Sequence, residues 1–226
     1  MTASLDRPIW SALATRHAGL AQGSSCARRY LAEIAPFAAT QADDRDCLLA
    51  LGDLVRPAER VLVIQATPIS VPPDLVATTT AMGVQMLLER PAQDLDGSGI
   101  ERLGAADVED MLALATLTKP GPFTLRALSL GAFWGIREQG RLIAMAGERF
   151  GHPGFTEISG VCTHPDAQGR GLAKRLSLLV ARAIQHRGET PYLHAWETNA
   201  RAITLYRSIG FRLRARMHVA AFERMA

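Results

Sequence analysis

The stretch from Thr156 to His186 constrains this chain more than any other. T-E-I-S-G-V-C-T at 156–163 reads as a strand, which passes through H-P-D-A into the turn Q-G-R-G-L-A at 168–173 and then into a helix. In that helix Leu172, Ala173, Leu176, Leu179, Val180, Ala183 and Ile184 recur at the 3.6-residue period and predict one apolar face. A strand that delivers a glycine turn onto a helix N-terminus leaves backbone N–H groups unpaired at the positive end of the dipole, where an anion is stabilised. Gly169 and Gly171 would let a phosphate come close to the backbone. The same two glycines also suit a plain tight turn, so the loop alone leaves both readings open. Two nucleotide loops are excluded by spacing: Lys174 follows Ala173, which breaks the P-loop pattern, and the three glycines of G-x-G-x-x-G are absent.

The rest of the composition narrows the partners. With 226 residues, 48% hydrophobic and 21% charged, the chain can bury a real core in one large domain or two smaller ones. Every apolar run is interrupted well before the roughly 18 residues of a membrane span, and the first residues, M-T-A-S-L-D-R-P-I-W, have no apolar core behind basic residues. No membrane partner and no secretory signal are therefore expected, and the compartment predicted is the cytoplasm. Cys26, Cys47 and Cys162 are an odd number at wide spacing, which suits reduced thiols. The six histidines include no pair four apart and no H-E-x-x-H, so no metal is assigned.

Residues 1–98 hold 8 Lys+Arg against 11 Asp+Glu, and residues 99–226 hold 17 against 11, so the excess of positive charge lies in the second part. The excess is small and carries no basic block with interleaved aromatics, which argues against nucleic acid and for a phosphorylated small ligand.

The cluster of Pro, Gly, Ser and Asp at Pro91–Gly99 reads as a linker between an N-terminal domain, 1–95, and a second domain, 99–226. In the first, Asp43–Val55 reads as a helix, and Arg60–Gln65 and Val84–Leu88 read as buried strands, an α/β pattern without a chemical motif. Trp10, His17 and Tyr30 fit a helix packed on a core, and Arg28-Arg29 fits a solvated or interdomain charge cluster. In the second, Ala105–Thr118 reads as a helix stopped by Lys119-Pro120-Gly121-Pro122. Phe133–Arg137 and Leu142–Arg149 read as a hairpin across E-Q-G-R, Tyr192–Trp196 as a strand and Ala200–Ile209 as a helix.

Q-G-R-G-L-A, preceded by V-C-T-H-P-D at 161–166 and followed by N-A-R-A-I-T-L-Y-R-S-I-G-F at 199–211, resembles the GNAT superfamily of acyl-CoA-dependent N-acetyltransferases. The resemblance covers roughly 123–223. Its nearest look is to the branch of glycine N-acyltransferase-like proteins, in which a degenerate acetyltransferase-like half precedes the active one. It implies a mixed α/β fold: a central, mostly antiparallel twisted sheet, splayed at the acyl-CoA site, with flanking helices and a smaller α/β domain ahead of it. It also implies acetyl-CoA as the donor, held at its pyrophosphate by backbone amides of Gln168, Gly169, Arg170, Gly171, Leu172 and Ala173. A β-bulge and exposed backbone at Val161, Cys162 and Thr163 would pair with the pantetheine arm, and Asn199 would cap the last helix and touch that arm.

Acetyl transfer to an amine needs a neutral amine, a donor for the developing oxyanion and an acid for the departing thiolate. The resemblance assigns the acid to Tyr206; otherwise Tyr206 is a core aromatic on a helix with a Schellman ending at Gly210. For the base, Glu157 is the candidate, with a pKa raised by a strand-lined pocket. The alternatives are a strand-end carboxylate, an anchor for the substrate ammonium, or deprotonation through water. Cys162 and His164 invite a covalent reading, which a buried core thiol and direct transfer make the weaker one. His194 and Glu197 are candidates for the acceptor pocket. The function expected is an N-acetyltransferase acting on a small-molecule amine or amino acid; the alternative is a non-catalytic acyl-CoA sensor. A homodimer is compatible with either, and the first half would shape the acceptor site or the dimer.

Overall fold

The computed structural model describes residues 3–224. Five α-helices are present among these residues: α1 (Pro8–Ala14), α2 (Arg45–Leu54), α3 (Val108–Thr118), α4 (Leu172–His186) and α5 (Ala200–Ser208). The strands are β1 (Ala21–Gly23), β2 (Ala27–Tyr30), β3 (Ala38–Thr40), β4 (Arg60–Gln65), β5 (Leu75–Leu87), β6 (Glu101–Leu103), β7 (Phe133–Glu138), β8 (Arg141–His152), β9 (Phe155–Thr163), β10 (Thr190–Trp196) and β11 (Arg212–Arg224). β1-β2-β3 form a small sheet, and the large sheet has the order β4-β11-β5-β10-β9-β8-β7-β6. The architecture is mixed α/β with a large, mostly antiparallel sheet; β9 and β10 run parallel. No described helix is long and apolar enough to cross a membrane.

The described residues divide into two compact units. The first takes the residues up to Val84, then Trp196–Thr198 and those from Ala215 on; the second takes Gln85–Ala195 and Asn199–Arg214. β5, β10 and β11 each contribute residues to both.

In the first unit, Asp44 caps α2 by accepting from the Cys47 amide (3.0 Å), so the Asp-rich start does what its composition suggests. β4 pairs antiparallel with His218–Glu223 of β11, and Val61, Val63, Leu51, Val55, Ala220 and Phe222 fill the core between them and α2. Arg29 is not solvated: it is buried, ion-paired with Glu59 and bonded to the Leu54 carbonyl (2.8 Å). Arg28 lies over the Trp10 ring, 5.5 Å from its centroid. The strand expected at Val84–Leu88 begins at Leu75, because its first half is the exposed run Val76-Ala77-Thr78-Thr79-Thr80, which carries no buried apolar pattern.

In the second unit, the hairpin turn falls at Gln139-Gly140, both with positive φ (49° and 82°), as a two-residue turn requires. The expected helix at Ala105–Thr118 is a 3₁₀ turn at Ala105–Asp107 followed by α3, ended by Lys119 in the left-handed region. α4 buries Leu172, Leu176, Leu178, Val180, Ala181 and Ile184 against β8 and β9, together with Ser177. Its apolar face is rotated from the predicted one: Ala173, Leu179 and Ala183 are only half-buried. The stretch Pro91–Gly99 is irregular and runs along this helix. Gln185 accepts from the Ala92 amide (2.9 Å), Arg182 pairs with Asp94 (2.9 Å) and Arg175 donates to the Ser98 carbonyl (2.5 Å).

Candidate active site

All the residues singled out for donor binding and proton transfer lie in the second unit. β9 and β10 pair over Phe155–Ile158 against Thr190–Leu193 and then part. Beyond Ile158, β9 keeps its antiparallel partner β8, with Cys162 opposite Met145 and Thr163 opposite Ala144. Between Ser159 and Cys162 it carries one residue more than β8, which is a bulge. The bulge falls at Gly160–Val161, just ahead of the expected Val161–Thr163, because Gly160 is the residue that takes a left-handed φ (63°). A Cβ there would sit 2.8 Å from the Phe133 ring. The Cys162 side chain turns into the core with Met111, Leu114, Phe133 and Met145, and burial pushes its thiol up to about 11. That argues against a nucleophilic thiolate. His164 turns its Nδ1 back to the Asp166 amide (3.2 Å).

Gly169 and Gly171 both have left-handed φ, 79° and 76°, and a Cβ added at either meets no atom within 4 Å. The turn is therefore open on its glycine side. α4 begins directly behind it, and its first ladder bond runs from the Arg175 amide to the Gly171 carbonyl (3.1 Å). The amides of Leu172, Ala173 and Lys174 precede that bond and have no acceptor within the helix. Arg170 is drawn outward to Glu138 (2.9 and 3.0 Å), and Gln168 accepts from Arg201 (3.1 Å), which ties the turn to α5. Asn199 caps α5 by accepting from the Ala202 amide (3.0 Å). At the other end, Phe211 N–H donates to the Tyr206 carbonyl and Gly210 N–H to that of Arg207, a Schellman ending. Tyr206 is buried with its ring edge against Phe211; burial and the nearby Glu157 carboxylate hold its phenol well above its ordinary value. It is a protonated donor throughout the physiological range.

Glu157 does not have the raised pKa expected of it. Burial pushes its carboxyl up, but Arg149 and then His194 outweigh burial and hold it at about 2. Arg149 donates through Nε to Oε2 (2.8 Å) and through Nη2 to Oε1 (2.7 Å), and His194 Nδ1 lies 2.7 Å from Oε1. The Arg arrives there by a second bulge: β8 has one extra residue, at Arg149–Phe150, between the pairs Glu148–Ile158 and Gly151–Thr156. On the far side of the imidazole, Gln85 Nε2 is 3.1 Å from His194 Nε2, and Arg214 donates to Gln85 Oε1 (3.0 Å). Sequence reasoning missed Arg149, Gln85 and Arg214. Arg149 had one visible signal, a charge at the end of an apolar strand; Gln85 and Arg214 had none. Glu197 does not join this set: it is exposed, in the first unit, and pairs with Arg216 (2.9 Å).

The structure resembles that of a GNAT-family protein from Novosphingobium aromaticivorans with a TM-score of 0.93 and 39% identity, over 98% of this chain and 99% of that one. The chain belongs to the GNAT family. Within the family of acetyltransferases, residues 133–219 match the FR47-like protein model, a range that takes in the bulged strand, the glycine turn and Tyr206. A mycothiol acetyltransferase from Saccharomonospora viridis is 44% identical over 64 residues; that match takes 28% of this chain and spans about a fifth (21%) of the relative's length. A GCN5-related N-acetyltransferase from Kribbella flavida shares the fold at 15% identity, with a TM-score of 0.62 over 93% of this chain and 95% of that one.

Proposed function

We propose that this GNAT acetyltransferase moves an acetyl group from acetyl-CoA directly to the primary amine of a small molecule or amino acid. The observation that carries this reading is the parting of β9 from β10 after Ile158 and Leu193, immediately ahead of the open turn at Gly169 and Gly171. The residues present fit the donor. Gln168, Gly169, Arg170, Gly171, Leu172 and Ala173 would hold its pyrophosphate through backbone amides at the positive end of α4. The backbone of Val161, Cys162 and Thr163, beyond the last β9–β10 pair at Ile158, would pair with the pantetheine arm, with Asn199 at the start of α5. When bound, the thioester supplies an activated acyl carbon and a thiolate leaving group. The proposed setting is the cytosol, and the partners are acetyl-CoA and a soluble amine.

Tyr206 serves as the acid. Its phenol stays protonated until a negative charge develops beside it, and the burial that raises the phenol also disfavours a bare thiolate in the same surroundings. The amine's proton leaves through the pair Glu157–His194. The test measures free-thiol release from acetyl-CoA across a panel of amines, with calorimetric acetyl-CoA affinity for the wild type and Tyr206→Phe. General acid catalysis is worth about 10² to 10⁴ in rate, so Tyr206→Phe should lose at least about tenfold in turnover with affinity kept within about twofold. A wild type that binds acetyl-CoA but releases no thiol with any amine would instead make the chain a non-catalytic acyl-CoA-binding module.

A further inference from the structure

Five side chains in the second unit form one continuous donor–acceptor chain, Arg214 to Gln85 to His194 to Glu157 to Arg149. Its polarity is determined link by link. Arg214 can only donate, so the Gln85 atom it meets is the amide oxygen, and the Gln85 NH₂ then faces His194 Nε2. That nitrogen must accept, which puts the ring proton on Nδ1, where it donates to the Glu157 carboxylate. In this tautomer Nε2 carries the lone pair and the Glu157 carboxylate lies behind Nδ1. This is the arrangement in which a carboxylate orients a histidine and stabilises the imidazolium it becomes.

Access separates the members of the chain. The Glu157 side chain is 1% exposed and already accepts three hydrogen bonds, while the His194 side chain is 10% exposed. Arg149, 14% exposed, is a cation and cannot take a proton. Gln85 is fully buried and has no basic atom. Tyr206 is held protonated, and the Tyr192 hydroxyl is spent on the Phe150 carbonyl (2.9 Å). We infer that His194 takes the proton from the acceptor amine, and that Glu157 is a positioning residue that orients the ring and stabilises its cation. The inference rests on the amine-acetylation reading above.

The amine nitrogen bonds to the acyl carbon, its proton passes to His194 Nε2, the carbon–sulfur bond breaks, and the sulfur takes the Tyr206 proton. His194 then releases its proton to solvent and the phenolate regains one from it. Gln85 must turn its NH₂ away from Nε2 for the proton to arrive, since two donors cannot face each other there. The groups that set the ring's proton affinity are therefore Glu157 from β9, Arg149 from β8, Gln85 from β5 and Arg214 from β11, with Tyr192 edge-on beside it (5.7 Å between centroids) and Tyr206 from α5 near Glu157.

The experiment is the pH profile of kcat/KM for thiol release, using the best amine of the panel. His194→Gln should lower kcat/KM at neutral pH by about 10² or more and abolish the acidic limb that the wild type shows. Added imidazole should restore part of the rate to His194→Ala. Glu157→Gln, which removes the negative neighbour, should move the limb to lower pH, and Gln85→Met, which removes the competing donor, should move it to higher pH. If His194→Gln does not fold, the opposed shifts of the other two variants decide. A wild type that acetylates amines while His194→Gln keeps its rate within threefold and its acidic limb unchanged would overturn the role of His194 alone. Unshifted limbs in both Glu157→Gln and Gln85→Met would do the same. A wild type that acetylates no amine would remove the reading of function on which it rests.

Discussion

Arg149 and Glu157 are each the condition of the other's burial. A carboxylate with 1% of its side chain exposed is tolerated because a guanidinium meets it with two parallel bonds, so removing the guanidinium leaves a buried charge without its main partner. The folded carboxyl at about 2 lies below its ordinary value of 4.5. Its contribution to stability is therefore complete above pH 4.5 and is lost as the pH falls through 2. Arg149→Met should cost about 3 to 5 kcal/mol at pH 7 in urea unfolding, and the gap to wild type should narrow as the pH falls, since Glu157 in the variant takes up its proton earlier. A gap that stays constant with pH would show that Arg149 matters only for packing. The sequence revealed Glu157 and its proximity to the glycine turn, but the sign of its pKa depended on an Arg that only a bulge brings opposite it. Bulges leave little trace in hydrophobic periodicity, which is why the carboxylate was legible and its charge state was not.

α4 brings together a mechanical and an electrostatic role. Its buried face holds it on β8 and β9, and its first turn leaves amides without an acceptor inside the helix, directly behind the open glycines Gly169 and Gly171. Gly171→Asp and Gly171→Asn form a matched pair, because both residues tolerate the left-handed region better than other side chains and only one adds charge. A carboxylate at the helix N-terminus is favourable to the helix, so Asp should leave the thermal midpoint equal to or above that of Asn. It should nevertheless weaken acetyl-CoA binding at least about tenfold more than Asn does, read by calorimetry. Equal affinities would remove the pyrophosphate from this turn. α4, α5 and the β7–β8 hairpin were readable from stripes, caps and turn residues, each of which is a local signal. The rotation of the α4 face was not, because it is Leu178 and Ala181 that are taken into the core, while Leu179 stays half-buried, 4.0 Å from where a Cβ on Gly97 would stand.

At the scale of the whole molecule, the linker-like composition of Pro91–Gly99 suggested a chain cut once, whereas compactness joins the two ends: the unit that holds β4 also holds the residues from Ala215 on. β4 has six residues paired with His218–Glu223, and Arg224 donates to the Val55 carbonyl (2.6 Å). A fragment of residues 1–95 thus lacks one wall of its own core, including Ala220 and Phe222. It should show little native near-ultraviolet dichroism and poor amide dispersion in NMR, and adding residues 212–226 as a peptide should recover part of both. A fragment that folds alone would make the returning strand dispensable. Such pairing between distant segments cannot be read from any local window, since nothing near Arg60–Gln65 names its partner. The returning strand also sets a timetable for synthesis. His218 follows Gln65 by about 150 residues, so at 5–20 residues per second the ribosome leaves that edge of β4 without this partner for roughly 8 to 30 s. Throughout that interval V-L-V-I is an unpaired apolar edge of the kind that recruits chaperones or a neighbouring nascent chain, and the last strand to emerge is the one that covers it.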